Sequence, residues 1–192
     1  VTKSLICQDE AARRLIVEMV RKEMNPIKKK EGILLVGATG VGKTKLATLV
    51  SKYFERPFKK INATSLTVPG YEGRDIEEEL WRLYESCGYD LEKTEQAIIF
   101  FDEIDKKSSD KNSDISGKGV LNLLLPFIEG SVYEATDNMH SKKRTVKIDT
   151  SNMIVLLAGA YTDVLNNLVE NGKLDLMDLS GKLKEKQQRK IL

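Results

Sequence analysis

The residues best suited to chemistry form the run Gly37-Ala38-Thr39-Gly40-Val41-Gly42-Lys43-Thr44. Three glycines in eight residues let the main chain curl until successive N–H groups converge, and such a nest of amides binds oxyanions. The lysine and hydroxyl that close the run complete the pattern G-x-x-x-x-G-K-[ST], a P-loop. Its mechanics predict that Lys43 reaches the β- and γ-phosphates of ATP. Thr44 offers its hydroxyl to Mg²⁺ at the first turn of a helix whose dipole also favours the anion. The expected phosphate-binding set is Thr39, Gly40, Val41, Gly42, Lys43, Thr44 and Lys45. A second reactive pair, Asp102-Glu103, follows the apolar run Ile98-Ile99-Phe100-Phe101. Ligands of open α/β sheets bind at the carboxyl ends of strands, and both acids fall at such an end. This Walker B pattern predicts that Asp102 completes the Mg²⁺ shell opposite Thr44, through water, because Mg²⁺ needs only one or two protein oxygens. Glu103 is expected to orient and deprotonate the water that attacks the γ-phosphate.

These groups need a scaffold. Ile33-Leu34-Leu35-Val36, immediately before the P-loop, reads as a strand buried on both faces of a parallel sheet. Pro57 to Asn62 reads as a second strand, Ile98 to Phe101 as a third and Met153 to Leu157 as another. The short runs Ser131 to Tyr133 and Thr145 to Ile148 enclose a loop that holds the only histidine, His140, read as solvated, and the basic run Lys142-Lys143-Arg144. Residues Gln8 to Met24 place Ala11, Ala12, Leu15, Ile16, Met19 and Val20 on one helical face. Asp75 to Cys87 is expected to be helical, with Asp75, Glu77, Glu78 and Glu79 at its positive end, Ile76, Leu80, Leu83 and Tyr84 inward, and Trp81 packed on or beside that face. Lys106 to Asp114 reads as a polar loop. Val120 to Ile128 reads as a helix with Leu121, Leu124, Leu125 and Ile128 toward the core. Tyr161 to Glu170 reads as a helix, and 173–192 as a charged helical tail.

The 192 residues balance 31 Lys and Arg against 29 Asp and Glu, a net charge of +2, which gives no support to a dominant nucleic-acid or membrane attraction. With 41 % hydrophobic residues the chain is long enough for one domain with a real core. Cys7 and Cys87 lack metal or disulfide spacing and read as packed thiols in a reducing compartment. No apolar run approaches a membrane span and no signal peptide opens the chain, so a cytoplasmic location is expected.

Together these motifs resemble the large ATPase domain of the AAA+ family, in its ClpX/HslU unfoldase branch. Besides Gly37 to Thr44, the resemblance is carried by Gln8-Asp9-Glu10-Ala11, by Asn62 to Thr67 leading into Gly70-Tyr71-Glu72-Gly73, and by Cys87-Gly88-Tyr89-Asp90. It continues through Phe101 to Lys106, Ile115 to Val120, Ile128-Glu129-Gly130 and Ile148 to Asn152. It implies an α/β, three-layer P-loop fold over residues 1–192 with a central, mainly parallel sheet. It also implies a homo-hexameric ring that binds ATP and Mg²⁺ between subunits and threads unfolded polypeptide through its pore. Tyr71 matches an aromatic pore-loop residue that grips substrate, Ser116 and Gly117 fall in a second pore loop, and His140 to Arg144 fall at a basic entrance loop. Ile6 and Cys7 lie where the family contacts adenine, with Cys7 in place of a glycine.

Other family parts are missing from the 192 residues. The chain stops before the fifth sheet strand, the arginine finger that reaches a neighbour's γ-phosphate, and the helical lid with its sensor-2 arginine. It also has no amino-terminal zinc module and no Ile-Gly-Phe tripeptide for docking a ClpP-like protease. It reads as a piece of a longer protein or a diverged one. Two functions follow: an unfoldase motor that needs a neighbouring subunit's arginine, or an ATP-binding assembly module with little hydrolysis of its own. A DNA-handling relative such as a clamp loader fits the Walker motifs but neither Tyr71 between glycines nor the charge balance.

Overall fold

The computed structural model describes residues 9–24, 31–66, 75–108, 124–137 and 144–161. The elements are α1 (Asp9–Met24), β1 (Ile33–Val36), α2 (Lys43–Tyr53), β2 (Phe58–Asn62), α3 (Ile76–Ser86), α4 (Leu91–Glu95), β3 (Ile98–Asp102) and α5 (Ile104–Ser108). They continue with α6 (residues 124–129), β4 (Val132–Thr136), β5 (Thr145–Asp149) and β6 (Ile154–Gly159). Four strands form one parallel sheet in the order β1-β6-β3-β2, and β4 and β5 form a separate antiparallel pair.

Strand periodicity divides the core into two halves, one on each face of the parallel sheet. Ile98 and Phe100 of β3 and Ile154, Leu156 and Ala158 of β6 pack with Leu15 and Met19 of α1 and Leu46, Ala47 and Val50 of α2. The alternate residues, Ile99 and Phe101 of β3 with Val155 of β6, pack with Leu80, Trp81 and Leu83 of α3, Leu124 and Phe127 of α6, and Ile148 of β5. Helices on one face, sheet, and helices with a hairpin on the other make three layers, the α/β architecture expected of a P-loop protein. The rings of Phe101 and Phe127 meet edge to face with centroids 5.5 Å apart, a geometry that adds about 1 kcal/mol to the burial of both.

Three sequence expectations about faces are corrected. β1 is not buried on both faces: among the described strands it pairs only with β6, and Leu34 is 51 % exposed. Val20 in α1 and Leu125 in α6 lie off the buried stripe, whereas Phe127, overlooked in the sequence, is fully buried. Leu124, Phe127 and Ile128 stand at i, i+3 and i+4, which is the stripe a helix presents to a single neighbour. The expected polar loop from Lys106 instead begins inside α5. α4 is an addition, started by Asp90, whose side chain accepts from Lys93 N–H at 3.0 Å. Asp75 caps α3 in the same way through Glu78 N–H at 2.7 Å. Glu79, read as part of that acidic start, is buried and pairs with Lys59 at 2.9 Å. Cys87 is a buried free thiol, as expected.

Candidate nucleotide site

The chain leaves β1 and turns directly into α2, and the turn works only because two of its residues are glycines. Gly40 has φ +85° and Gly42, the residue that starts α2, has φ +95°, backbone that side chains with a Cβ rarely adopt. A Cβ on Gly40 would meet nothing within 4 Å, so the left-handed backbone and not crowding calls for glycine there. Gly37 N–H donates to Gly159 O at 3.2 Å, which anchors the start of the loop to the end of β6.

The loop borders a cavity of about 350 Å³ lined by Thr39, Gly40, Gly42, Lys43, Thr44 and Lys45 of the loop and α2. Asp102, Glu103, Asp105 and Lys106 at the β3–α5 junction, with Gly159 and Ala160 at the end of β6, supply the opposite wall. The parallel pairing of β3 with β6, and of β6 with β1, brings these segments to one end of the sheet. Of the expected phosphate-binding residues in the loop, all but Val41 line the cavity, and both Walker B acids face the same space. Ile6, Tyr71, Ser116, Gly117 and the basic segment from His140 to Lys143 lie outside the described residues, as do Cys7 and the regions expected to form a helix after Tyr161 and a charged tail.

Lys43, Asp102, Glu103, Asp105 and Lys106 have partners within the chain. Lys43 Nζ donates to Gly37 O at 2.6 Å and Ala38 O at 3.0 Å, folding back on the loop's own carbonyls. Asp102 Oδ1 accepts from Glu103 N–H at 3.0 Å, and its Oδ2 lies 2.8 Å from Lys60 Nζ. Glu103 has φ +60°, a left-handed backbone at a residue with a side chain. Its Oε1 takes a bond from Lys106 Nζ at 2.6 Å and its Oε2 one from Asn62 Nδ2 at 3.3 Å. The hydrogen bond from Lys106 is the largest influence and holds the Glu103 carboxyl below its ordinary value against the opposing effect of burial, with a lesser lowering from the Asn62 bond. Lys106 is raised in turn by the same bond and charge.

The sequence reading gave Lys60, Asn62 and Asp105 no role in the site. Asn62 is opposite Asp102 in the β2–β3 register, and Lys60 lies two residues before it on the same face. Asp105 Oδ2 accepts from the N–H groups of Ala160 and Tyr161 at 3.1 and 3.0 Å, tying α5 to the chain leaving β6. The only available signal was the order of β2 and β3 in the sheet, which no local pattern in either strand specifies.

The donor set suits Mg²⁺: a threonine hydroxyl and a carboxylate, both hard oxygen donors, line one cavity. No cluster of three or more His, Cys, Asp or Glu able to hold a metal by itself occurs among the described residues. No helix among the described residues is long and apolar enough to cross a membrane.

A family model described as AAA domain (Cdc48 subfamily) matches residues 28–191. The chain belongs to the AAA+ ATPase family. This AAA+ chain is similar to the "ATP-dependent Clp protease ATP-binding subunit ClpX" of Porphyromonas gingivalis, with 38 % identity over 149 residues, which is 73 % of the chain and 36 % of that relative. The protein of the same name from Bacteroides fragilis is 34 % identical over 183 residues, 86 % of the chain and 44 % of the relative. The AAA+ chain thus spans less than half the length of these curated relatives.

Proposed function

We propose that this chain is the ATP-binding and ATP-hydrolysing motor portion of a ClpX-like ring unfoldase. The observation that carries the reading is the convergence of Lys43, Thr44, Asp102 and Glu103 on one cavity bordered by the P-loop. In the proposed cycle, phosphates draw Lys43 off Gly37 O and Ala38 O and onto their own oxygens, and the amides of Thr39 to Thr44 donate to the same group. Thr44 and Asp102 would hold Mg²⁺, which when bound neutralises charge on the phosphates. Glu103 accepts the proton of the attacking water once Lys106 and Asn62 yield its oxygens. An arginine from a neighbouring subunit, in a homo-hexamer, would complete the site and is worth about 10³ to 10⁵ in rate. Tyr71, Ser116 and Gly117 would then present pore loops to unfolded polypeptide, Ile6 would line the adenine side, and a ClpP-like protease would receive the product. The assembly would act in the cytoplasm. A nucleic-acid or membrane partner is not part of the proposal.

One observation favours a slower second reading, an ATP-binding assembly module: Lys60 and Lys106 hold both Walker B acids in ion pairs. Glu103→Gln separates the two. A carboxamide fills the same space but cannot take the proton, so under the motor reading the variant retains ATP and loses turnover. Turnover at the parental rate in the assembled protein would remove Glu103 as the base.

A further inference from the structure

Strand β2 carries two successive lysines, and its period of two sends them to opposite faces of the sheet. Lys59 turns to α3 and the buried Glu79. Lys60 turns to the other face and reaches Asp102 Oδ2 at 2.8 Å from a side chain that is 46 % exposed, whereas that of Asp102 is only 18 % exposed. The remaining oxygen of Asp102 is engaged by Glu103 N–H. An acid that is mostly withdrawn from water, and points into the nucleotide cavity, is therefore already neutralised by a cation of the chain.

We infer that Lys60 is a built-in competitor of Mg²⁺: it occupies the Asp102 carboxylate between nucleotide-binding events and sets the Mg²⁺ concentration at which the nucleotide complex forms. The inference rests on the proposed role of Asp102 beside the ion. A divalent cation, or a water in its shell, that takes Asp102 Oδ2 must displace an ammonium or share an oxygen with it, and two cations on one carboxylate repel. Lys60 fits this role better than a purely structural one. Its half-exposed chain fills no core volume, and its neighbours Lys59 and Ile61 already secure β2 through Glu79 and the apolar face. It also differs from Lys106, whose direct ion pair is with Glu103 and whose influence on Asp102 is a weaker charge interaction.

The test uses fluorescence of a ribose-labelled ADP on the whole chain, titrated with Mg²⁺ from an EDTA-treated start. Lys60→Met removes the charge and keeps the apolar stem, Lys60→Gln removes it with a polar end, and Lys60→Arg keeps it. The half-saturating Mg²⁺ concentration should fall about fivefold in the Met and Gln variants. It should stay at the parental value in the Arg variant, and affinity for the labelled ADP in EDTA should be unchanged throughout. An unmoved midpoint in both neutral variants, with nucleotide still bound, would overturn the competitor role alone. An equal shift in the Arg variant would do the same. Failure of the parental chain to bind labelled ADP at any Mg²⁺ concentration would instead remove the nucleotide reading, and this inference with it.

Discussion

Replacing Asp105 by alanine should both destabilise the protein and loosen one wall of the nucleotide cavity. A single carboxylate oxygen accepts from two successive amides, Ala160 N–H at 3.1 Å and Tyr161 N–H at 3.0 Å, in a partly buried setting. Hydrogen bonds to a charged acceptor contribute about 1.5 kcal/mol or more when buried, and part of that is recovered from water at a partly exposed site, so the pair is worth about 2 kcal/mol. For a chain of this size that is a fall in melting temperature of about 4–8 °C. Asp105→Asn keeps an oxygen in place and should lose about half as much. The neighbouring glycine provides a second route to the same defect. A Cβ on Gly159 would stand 2.7 Å from Asp105 Oδ1 and 2.6 Å from the Tyr161 ring, so Gly159→Ala should push the carboxylate off its amides. Thermal melts without nucleotide, followed by nucleotide binding, measure both effects. An alanine variant at position 105 that melts with the parent and binds nucleotide equally well would refute the argument that this carboxylate holds the cavity wall.

Glu103 is held in its charged form by Lys106 and then Asn62, so its pKa lies below the ordinary value. Its ion-pair stabilisation is present above that ordinary value and is lost only as pH falls through the lowered one. The acid limb of the kcat/KM profile, which reports the protein before nucleotide binds, should accordingly lie below the ordinary glutamate range and move upward in Lys106→Met, and an unmoved limb would count against the pairing. Phe100→Ala, at a fully buried ring 6.1 Å from Phe58, should cost about 3–5 kcal/mol in urea unfolding, and a small loss would mean that this half of the core is loosely packed. Tyr71→Ala should leave nucleotide binding intact and abolish unfolding of a tagged substrate by the full assembly. Undiminished unfolding would remove the pore-loop assignment.

The parts of the site legible in the sequence are those whose chemistry is local. The P-loop is contiguous, and Asp102-Glu103 declares itself because two acids end a run of four apolar residues. The partners of those acids were not legible. Lys60 and Asn62 reach the site only because β2 lies beside β3 in a particular register, and the residues of β2 do not encode their neighbour. Asp105 was visible as a charge after the motif, but its bonds to Ala160 and Tyr161 span more than fifty residues. Among the elements, α4 escaped because five residues show too little of a helical period. The end of α5, from Lys106 to Ser108, read as loop because it holds no apolar residue. Leu125 and Val20 were assigned to the core because an apolar residue one step off the stripe has the same composition as one on it, and only the packing neighbour fixes the phase.

In the proposed function the P-loop amides and Lys43 grip a nucleotide while Asp102 and Glu103 serve it from the adjoining strand. Isothermal calorimetry of Mg-ATP into the Glu103→Gln chain, beside the same chain carrying Lys43→Ala, tests it most directly. Saturable heat is expected in the first and its loss in the second. No heat in the first, or equal heat in both, would contradict it.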